Sequence, residues 1–286
     1  PAGSTAAFYL ASRGFRVLLV EEHKEVGVPV HCSGLVTPRT LSLAGAGREL
    51  AFHKLGAMEV RVDGATYRFT APECRAVVID RAGLDRFLAA KAQEAGVDLW
   101  LETRALGLSR EGDSRSRLLV KRGQEEAVVN CRLVVDASGS FSPLARASGV
   151  AHRLERIVAV GGEVAVQGLD RSAVQVILDE RVAPGWFGWL IPAQEGMARI
   201  GGGALEDGLN PRTLLDSLFG RIPVLKGARV LRLQGGLIPL PGPAPHPLTE
   251  DGLLLVGDAA GQVKPFSGGG IFTALVGARW CALVAS

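Results

Sequence analysis

Gly252-Leu-Leu-Leu-Val-Gly-Asp-Ala-Ala-Gly-Gln-Val-Lys-Pro-Phe-Ser-Gly-Gly-Gly-Ile271 joins an apolar run to an acidic turn and then to a glycine-rich helix start. The Leu and Val side chains predict a short buried strand. Gly257-Asp258 then sets one carboxylate at the sheet's carboxyl edge, where it can accept hydrogen bonds from sugar hydroxyls. Ser267-Gly268-Gly269-Gly270 lets the backbone come close to a ligand, and the helix that follows aims free N–H groups and the positive end of its dipole at it. This order of elements predicts a flavin site, with Asp258 on the ribityl chain.

The chain opens Pro1-Ala-Gly-Ser-Thr5, without an initiator Met and without a first strand, and so reads as a fragment. Residues 3–13 predict a helix with small residues on one face, Gly14 its stop, and Arg16 to Val20 a buried parallel strand ending in Glu21. In the dinucleotide fingerprint G-x-G-x-x-G, the third glycine permits close helix–strand packing, and an acid roughly 20 residues on takes the ribose hydroxyls. Gly3 and Glu21 occupy those two places, and the first two glycines would fall before residue 1.

Composition bounds the class. The 286 residues are 47 % hydrophobic with 37 glycines, as in a turn-rich α/β protein of one large or two closely joined domains. A net charge of +3 without basic runs argues against nucleic-acid binding. Cys32, Cys74, Cys131 and Cys281 are widely spaced, so neither a metal site nor a disulfide framework is expected and a reducing cytoplasm is the default location. No run reaches the roughly 18 apolar residues of a membrane span, and burial accounts for the apolar helix expected at Ile271 to Ala285.

Between these elements the pattern predicts a helix from Pro38 to Gly47 and a hairpin of Met58 to Val62 and Thr66 to Thr70 about Asp63-Gly64. A strand from Val77 leads through a capping Asp80 into a helix with Leu84, Phe87 and Leu88 on one face. Val97 to Glu102, Arg117 to Arg122 and Glu126 to Val135 follow as strands. Further strands are expected at Val158 to Val166, Ala173 to Leu178, Trp186 to Ile191, Met197 to Gly203 and Arg229 to Leu237, with one helix around Pro211 to Gly220. The division expected is a flavin domain of residues 1–57, 78–155 and 245–286, and an inserted antiparallel substrate sheet of 58–77 and 156–244. Proline-rich Leu240-Pro-Gly-Pro-Ala-Pro-His-Pro247 is expected to carry the chain back.

Pro1-Ala-Gly-Ser4, Glu21, Cys32-Ser-Gly-Leu35, Ile79-Asp-Arg-Ala-Gly-Leu-Asp-Arg-Phe-Leu88, Val135-Asp-Ala-Ser-Gly139 and Gly257-Asp-Ala-Ala-Gly261 together resemble the geranylgeranyl reductase family of FAD-dependent oxidoreductases. The likeness spans nearly the whole chain. It implies a p-hydroxybenzoate hydroxylase-like α/β fold, a Rossmann-like FAD-binding domain of glutathione-reductase type with an inserted antiparallel β-sheet substrate domain. Its most specific piece, Pro184-Gly-Trp-Phe-Gly-Trp-Leu-Ile-Pro192, is similar to the family's P-x-x-Y-x-W-x-F-P, with Phe187 for Tyr and Ile191 for Phe.

The resemblance implies roles for individual residues. Gly3 and Glu21 bind the adenosine end of FAD, and Arg81 and backbone near Ala105 hold the diphosphate region. Asp258, Gly270 and Ile271, with Gly269 beside them, take the ribityl and ring end. Cys32 falls where the family carries a cysteine near the isoalloxazine ring, which makes it the catalytic candidate, with Ser33 and Gly34 as cofactor contacts. Trp186, Phe187, Trp189 and Ile191 line the cavity for an isoprenoid chain. The implied reaction is saturation of isolated C=C bonds by hydride from reduced flavin, with NAD(P)H or a ferredoxin as electron donor. An apolar substrate also implies peripheral membrane association. From the residues alone, Cys32 reads equally as a packing residue, Arg81 as solvent-exposed, and His31, a candidate proton donor, as structural.

Two rival readings stay open. Flavin hydroxylases and halogenases share this fold, and Phe187-Gly-Trp-Leu-Ile-Pro192 half matches the halogenase strand W-x-W-x-I-P; yet the aromatic hydroxylases usually carry His after Gly-Asp-Ala-Ala, where this chain has Gly261. The other rival is a cofactor-defective fragment that only binds lipid.

Overall fold

Leu253, Leu254 and Leu255 are all buried and pair in parallel with Val134, Val135 and Asp136. Two short aliphatic runs 119 residues apart therefore form the centre on which the glycine-rich turns are mounted. A computed structural model describes residues 1–111, 115–147, 155–205, 210–240 and 252–285. The proline-rich stretch of 241–247 lies outside the described residues.

In chain order the elements are α1 (Ala2–Ala11), β1 (Leu18–Val20), β2 (Leu35–Val36), α2 (Pro38–Ala44), β3 (Ala51–Leu55), β4 (Ala57–Val62), β5 (Ala65–Thr70), β6 (Ala76–Ile79), α3 (Arg81–Glu94) and β7 (Asp98–Trp100). There follow β8 (Thr103–Glu111), β9 (Arg115–Arg122), β10 (Glu125–Cys131), β11 (Val134–Asp136), α4 (Pro143–Ala147), β12 (Glu155–Ala165), β13 (Ala173–Leu178), β14 (Gly188–Pro192) and β15 (Met197–Leu205). Last come α5 (Pro211–Arg221), β16 (Arg229–Leu240), β17 (Leu253–Leu255) and α6 (Ile271–Val284). Backbone contacts divide them into two compact units, Pro1–Val28 with Ala82–Leu154 and Pro239–Ser286, and Pro29–Arg81 with Glu155–Ile238.

In the first unit β1 pairs in parallel with β7, and β11 with β17. Small residues let the helices close on the strands: Ala2, Ala6, Ala274 and Ala278 cluster with Leu254 and Val256. α6 buries Ala274, Leu275, Ala278, Cys281 and Ala282, but Trp280, Leu283 and Val284 on its other side are exposed. Burial thus accounts for one face of this apolar helix and not for its whole circumference. β8, β9 and β10 form an antiparallel meander. Sequence periodicity misses β8, because its register shifts between Ala105 and Gly107 and a bulge breaks the two-residue alternation. The expected strand from Glu126 to Val135 is two strands, β10 and β11, in different sheets.

The second unit holds a seven-stranded sheet in the order β16-β12-β15-β14-β13-β4-β5. β12 with β15, β15 with β14, β14 with β13 and β4 with β5 pair antiparallel, whereas β13 pairs with β4 in parallel, so the sheet is mixed where a purely antiparallel one was expected. Asp63 and Gly64, with φ of 50° and 81°, make the left-handed turn that a tight hairpin demands between β4 and β5. α5 lays Leu214 and Leu218 on one face of the sheet, in a cluster with Ile177, Leu190 and Ile200. A three-stranded sheet, β2-β6-β3, completes the unit. Residues 29–57 belong to the second unit by contact, with Leu55 buried against Val174 and Ile191, whereas the sequence pattern groups them with residues 1–28.

Gly220 near the end of α5 is exposed and would gain a Cβ in open space. Gly220→Ala is expected to stabilise the protein by about 0.4–1 kcal/mol, read as a rise in the midpoint of urea unfolding, by restricting the unfolded chain. At the surface of the same unit, Asp170 is held down to about 2, chiefly by the Ser172 hydroxyl and next by Arg68. A carboxylate depressed in the fold contributes stability above its ordinary value of 3.8, lost as pH falls through about 2. Asp170→Asn should therefore flatten the pH dependence of stability between about 4 and 2, a change that denaturant titrations at several pH values would resolve.

Candidate flavin site and aromatic strand

In the first unit the ends of β11 and β17 meet the starts of α1 and α6 through glycines where a side chain would be tightly crowded. A Cβ on Gly3 would stand 3.3 Å from Ala137 and 3.6 Å from Leu19. Gly257, left-handed at φ 70°, would place its Cβ 3.0 Å from Ala2 and 3.7 Å from Ala274. On Gly270, the N-cap of α6, a Cβ would lie 3.0 Å from Asp258 Oδ1. The Asp258 carboxylate therefore stands beside the first turn of α6, whose opening N–H groups have no partner within the helix.

The turn between them is pinned by residues that sequence reasoning did not single out. Gln262 Oε1 accepts from the Gly257 N–H at 2.8 Å. The Thr273 hydroxyl, in the first turn of α6, reaches the carbonyls of Gln262 and Gly270. Lys264 O accepts from the N–H groups of Ser267 and Gly268, which folds the segment before Gly269 onto itself. Ile271 then opens the helix.

Glu21 follows β1, its N–H bonded to Trp100 O at 2.9 Å, so the parallel pairing runs one residue past the strand. Its Oε1 accepts from the His23 N–H at 2.9 Å and from His23 Nδ1 at 2.7 Å. Sequence reasoning did not single out His23 as the group that orients Glu21. Asp136, at the end of β11, is different in kind. It is 3 % exposed, and its oxygens accept from Ser138 N, Ser138 Oγ and Ser142 Oγ, so this carboxylate is satisfied inside the fold. Ala105 is half-buried in β8 against the cluster around Val120.

In the second unit Cys32 is a half-buried free thiol whose sulfur accepts from the Gly34 N–H at 3.4 Å. His31 Nδ1 lies 2.9 Å from Gly235 O. A carbonyl only accepts, so Nδ1 carries the hydrogen, and neutral His31 presents a bare Nε2; the ring can release a proton from Nε2 only as imidazolium. Arg81 begins α3.

Trp186 and Phe187 stack with ring centroids 5.0 Å apart, and Phe187 meets Trp189 edge-on at 6.1 Å. The two indole rings lie over glycines of β12 and β15. A Cβ on Gly201 would sit 2.4 Å from Trp189 Cζ2, one on Gly203 2.8 Å from Trp186 Cδ1, and one on Gly161 3.5 Å from Trp189 Cζ2. Register explains the match, since Trp189 pairs with Gly201 and Gly201 with Gly161, and directly paired residues share a face. Gly188 and Gly202 face the other way, towards Leu218 and Leu214 of α5. Ile191 is buried with Leu55, Val78 and Val174, so it packs in the core next to the aromatic group. Trp186 Nε1 is a buried donor with no hydrogen-bond partner. The glycine runs Gly161-Gly162 and Gly201-Gly202-Gly203 were the missed signal for this ring packing.

Among the described residues no group of three or more His, Cys, Asp or Glu could hold a metal ion, and no helix is long and apolar enough to cross a membrane. The first-unit residues fit a flavin dinucleotide: glycines at close helix–strand contacts, a carboxylate beside a helix N-terminus, and a second carboxylate at the end of β1.

Comparison with known proteins agrees. The model of the FAD dependent oxidoreductase family matches residues 53–282. A digeranylgeranylglycerophospholipid reductase of Methanothermobacter thermautotrophicus is 33 % identical over 96 % of this chain and 72 % of its own length. The protein of the same name from Methanocaldococcus jannaschii is 30 % identical over 96 % and 72 %. A geranylgeranyl bacteriochlorophyll reductase-like protein of Thermoplasma acidophilum superposes with a TM-score of 0.91 at 28 % identity, covering 99 % of this chain and 75 % of that one. A myxobacterial chondrochloren halogenase, at TM-score 0.75 and 22 % identity over 97 % and 70 %, shares the fold alone. This chain is an FAD-dependent oxidoreductase and belongs, with the digeranylgeranylglycerophospholipid reductases, to the geranylgeranyl reductase family.

Proposed function

We propose that this oxidoreductase saturates C=C bonds in the isoprenoid chains of a geranylgeranyl-type lipid. The observation that carries the reading is the aromatic group of Trp186, Phe187 and Trp189 at the start of β14, with Trp189 packed on Gly161 and Gly201 and Trp186 on Gly203, in a chain whose relatives are named for reducing such lipids. FAD, when bound and reduced, supplies the hydride for an alkene carbon. The protein's own groups bind, orient and keep water out. Half-buried indole and phenyl rings held in place by that packing offer an apolar surface that suits a long chain with planar trisubstituted double bonds.

Gly3 and Glu21 take the adenosine end of the cofactor in this reading, Arg81 and backbone near Ala105 the diphosphate, and Asp258, Gly269, Gly270 and Ile271 the ribityl and ring end, with Ser33 and Gly34 as further contacts. Cys32 is the catalytic candidate. NAD(P)H or a ferredoxin recharges the flavin, and the apolar substrate brings the protein to a membrane surface. The domain that binds FAD carries the glycine-rich turns of the first unit, and the second unit's sheet serves the substrate.

The test is anaerobic. Dithionite-reduced protein is mixed with geranylgeranyl diphosphate or digeranylgeranylglycerol phospholipid, while the flavin spectrum and saturated product are followed together. Flavin reoxidation in step with product supports the proposal. Flavin that stays reduced with both lipids until oxygen enters, followed by oxygenated or halogenated product from an aromatic acceptor, would replace it with monooxygenase or halogenase chemistry.

A further inference from the structure

The turn that carries Cys32 is gripped by a side chain from far along the chain. Arg199, in β15, is 6 % exposed. Its Nη1 donates to Ser33 O at 2.7 Å and to Ile79 O at 3.1 Å. Its Nε donates to Glu163 Oε1 at 3.3 Å, and the guanidinium lies over the Phe52 ring at 5.7 Å. Arg232 Nη2 stands 3.8 Å from the same Glu163 oxygen. Gly34 is left-handed at φ 66°, and a Cβ there would come within 2.2 Å of Arg199 Nη1, so the turn leaves room for the guanidinium and for nothing else. Gly34 O accepts from the Ile79 N–H at 2.9 Å, and Gly34 N–H points at Cys32 Sγ. The chain of contacts therefore runs from Glu163 through Arg199 to Ser33 and Gly34, and from there to the sulfur.

We propose that Arg199 is a positioning residue that fixes the Cys32 thiol by clamping the carbonyls of Ser33 and Ile79, with Glu163 holding the guanidinium in plane. Because Arg199 pairs in register with Ile191, the clamp ties the cysteine turn to the strand that bears Trp189. The planar fork matters here, since two carbonyls and a carboxylate are met in fixed directions that a lysine ammonium on a flexible stem cannot reproduce together. The functional part of the proposal rests on the reading of Cys32 as a reacting group; the geometric part does not.

The experiment uses the full chain with its flavin. Iodoacetamide labelling is resolved by residue with mass spectrometry, with Cys74 as the internal reference, while the Cys131 and Cys281 thiols are pushed up by burial and label poorly. Turnover is measured in parallel for wild type, Arg199→Met, Arg199→Lys, Glu163→Gln and Cys32→Ala. In Arg199→Met the Cys32 labelling rate is expected to change several-fold with Cys74 unmoved, and kcat to fall by about 10- to 100-fold with KM held within about twofold, the scale of an ångström's misplacement. Arg199→Lys should recover part of both. Should Arg199→Met fail to fold, Glu163→Gln, which keeps the shape and one acceptor, is expected to shift both readouts in the same direction by less. Unchanged Cys32 labelling in every folded variant, or an equal change at Cys74, overturns the proposal. If labelling responds as expected but Cys32→Ala turns over normally, the clamp stands and the catalytic role of Cys32 falls.

Discussion

Asp258→Ala protein is expected to purify largely without flavin. The carboxylate stands beside the N-cap of α6, where hydrogen bonds from ligand hydroxyls to a charged acceptor contribute about 1.5–3 kcal/mol, equivalent to about 10- to 150-fold in affinity. The ratio of flavin to protein absorbance after gel filtration, and a titration of the apoprotein with FAD, would read the loss. Asp136 is the matched control. Its oxygens are consumed by Ser138 and Ser142, so Asp136→Ala should lower stability by roughly 1–3 kcal/mol through stranded hydroxyl and N–H groups while the FAD dissociation constant holds. Full flavin content in Asp258→Ala, or flavin loss confined to Asp136→Ala, would reverse the two assignments and remove the main support for a site at the end of β17.

Gly201→Ala is expected to damage both stability and turnover. The added carbon would lie 2.4 Å from Trp189 Cζ2 and 2.6 Å from Val160 O. One of those neighbours is backbone in the middle of a sheet, so relief of both contacts needs the strand to shift as well as the ring. Overpacking of this kind costs about 1–3 kcal/mol, which for a protein of this size lowers Tm by about 2–12 °C. The displaced Trp189 should also shift its fluorescence and reduce kcat/KM for the apolar substrate. Gly236→Ala tests whether glycine content alone is at issue, since that residue lies in β16 of the same sheet with open space around its Cβ position; it should stay within about 0.5 kcal/mol of wild type. Equal stability of the two variants would mean that Trp189 does not rest on Gly201 as described.

The contrast between these two sites follows how far each is written locally. Asp258, Gly269, Gly270 and Ile271 fall within one run of 20 residues in which a buried strand, an acid and a glycine-rich helix start succeed each other, and each signal acts over one or two turns of chain. The hairpin about Asp63-Gly64 was legible for the same reason, because left-handed backbone at both turn positions selects those residue types. β8 was not, since a bulge at Ala105 to Gly107 puts its alternation out of phase. His23 was passed over because an exposed histidine two residues after an acid has no pattern that marks it.

Legible along the chain were its FAD-dependent oxidoreductase class and most of its longer strands and helices, because burial periodicity, glycine torsions and helix starts are properties of neighbouring residues. Tertiary structure decided the rest. It set residues 29–57 beside Glu155–Ile238, with Leu55 buried against Val174 and Ile191, opposed Trp189 to Gly201 and Gly161 by register, and delivered Arg199 to Ser33 across 166 residues of chain. Pairing and register are chosen by which buried faces fit once several strands are side by side, and that choice has no expression in any single stretch of sequence.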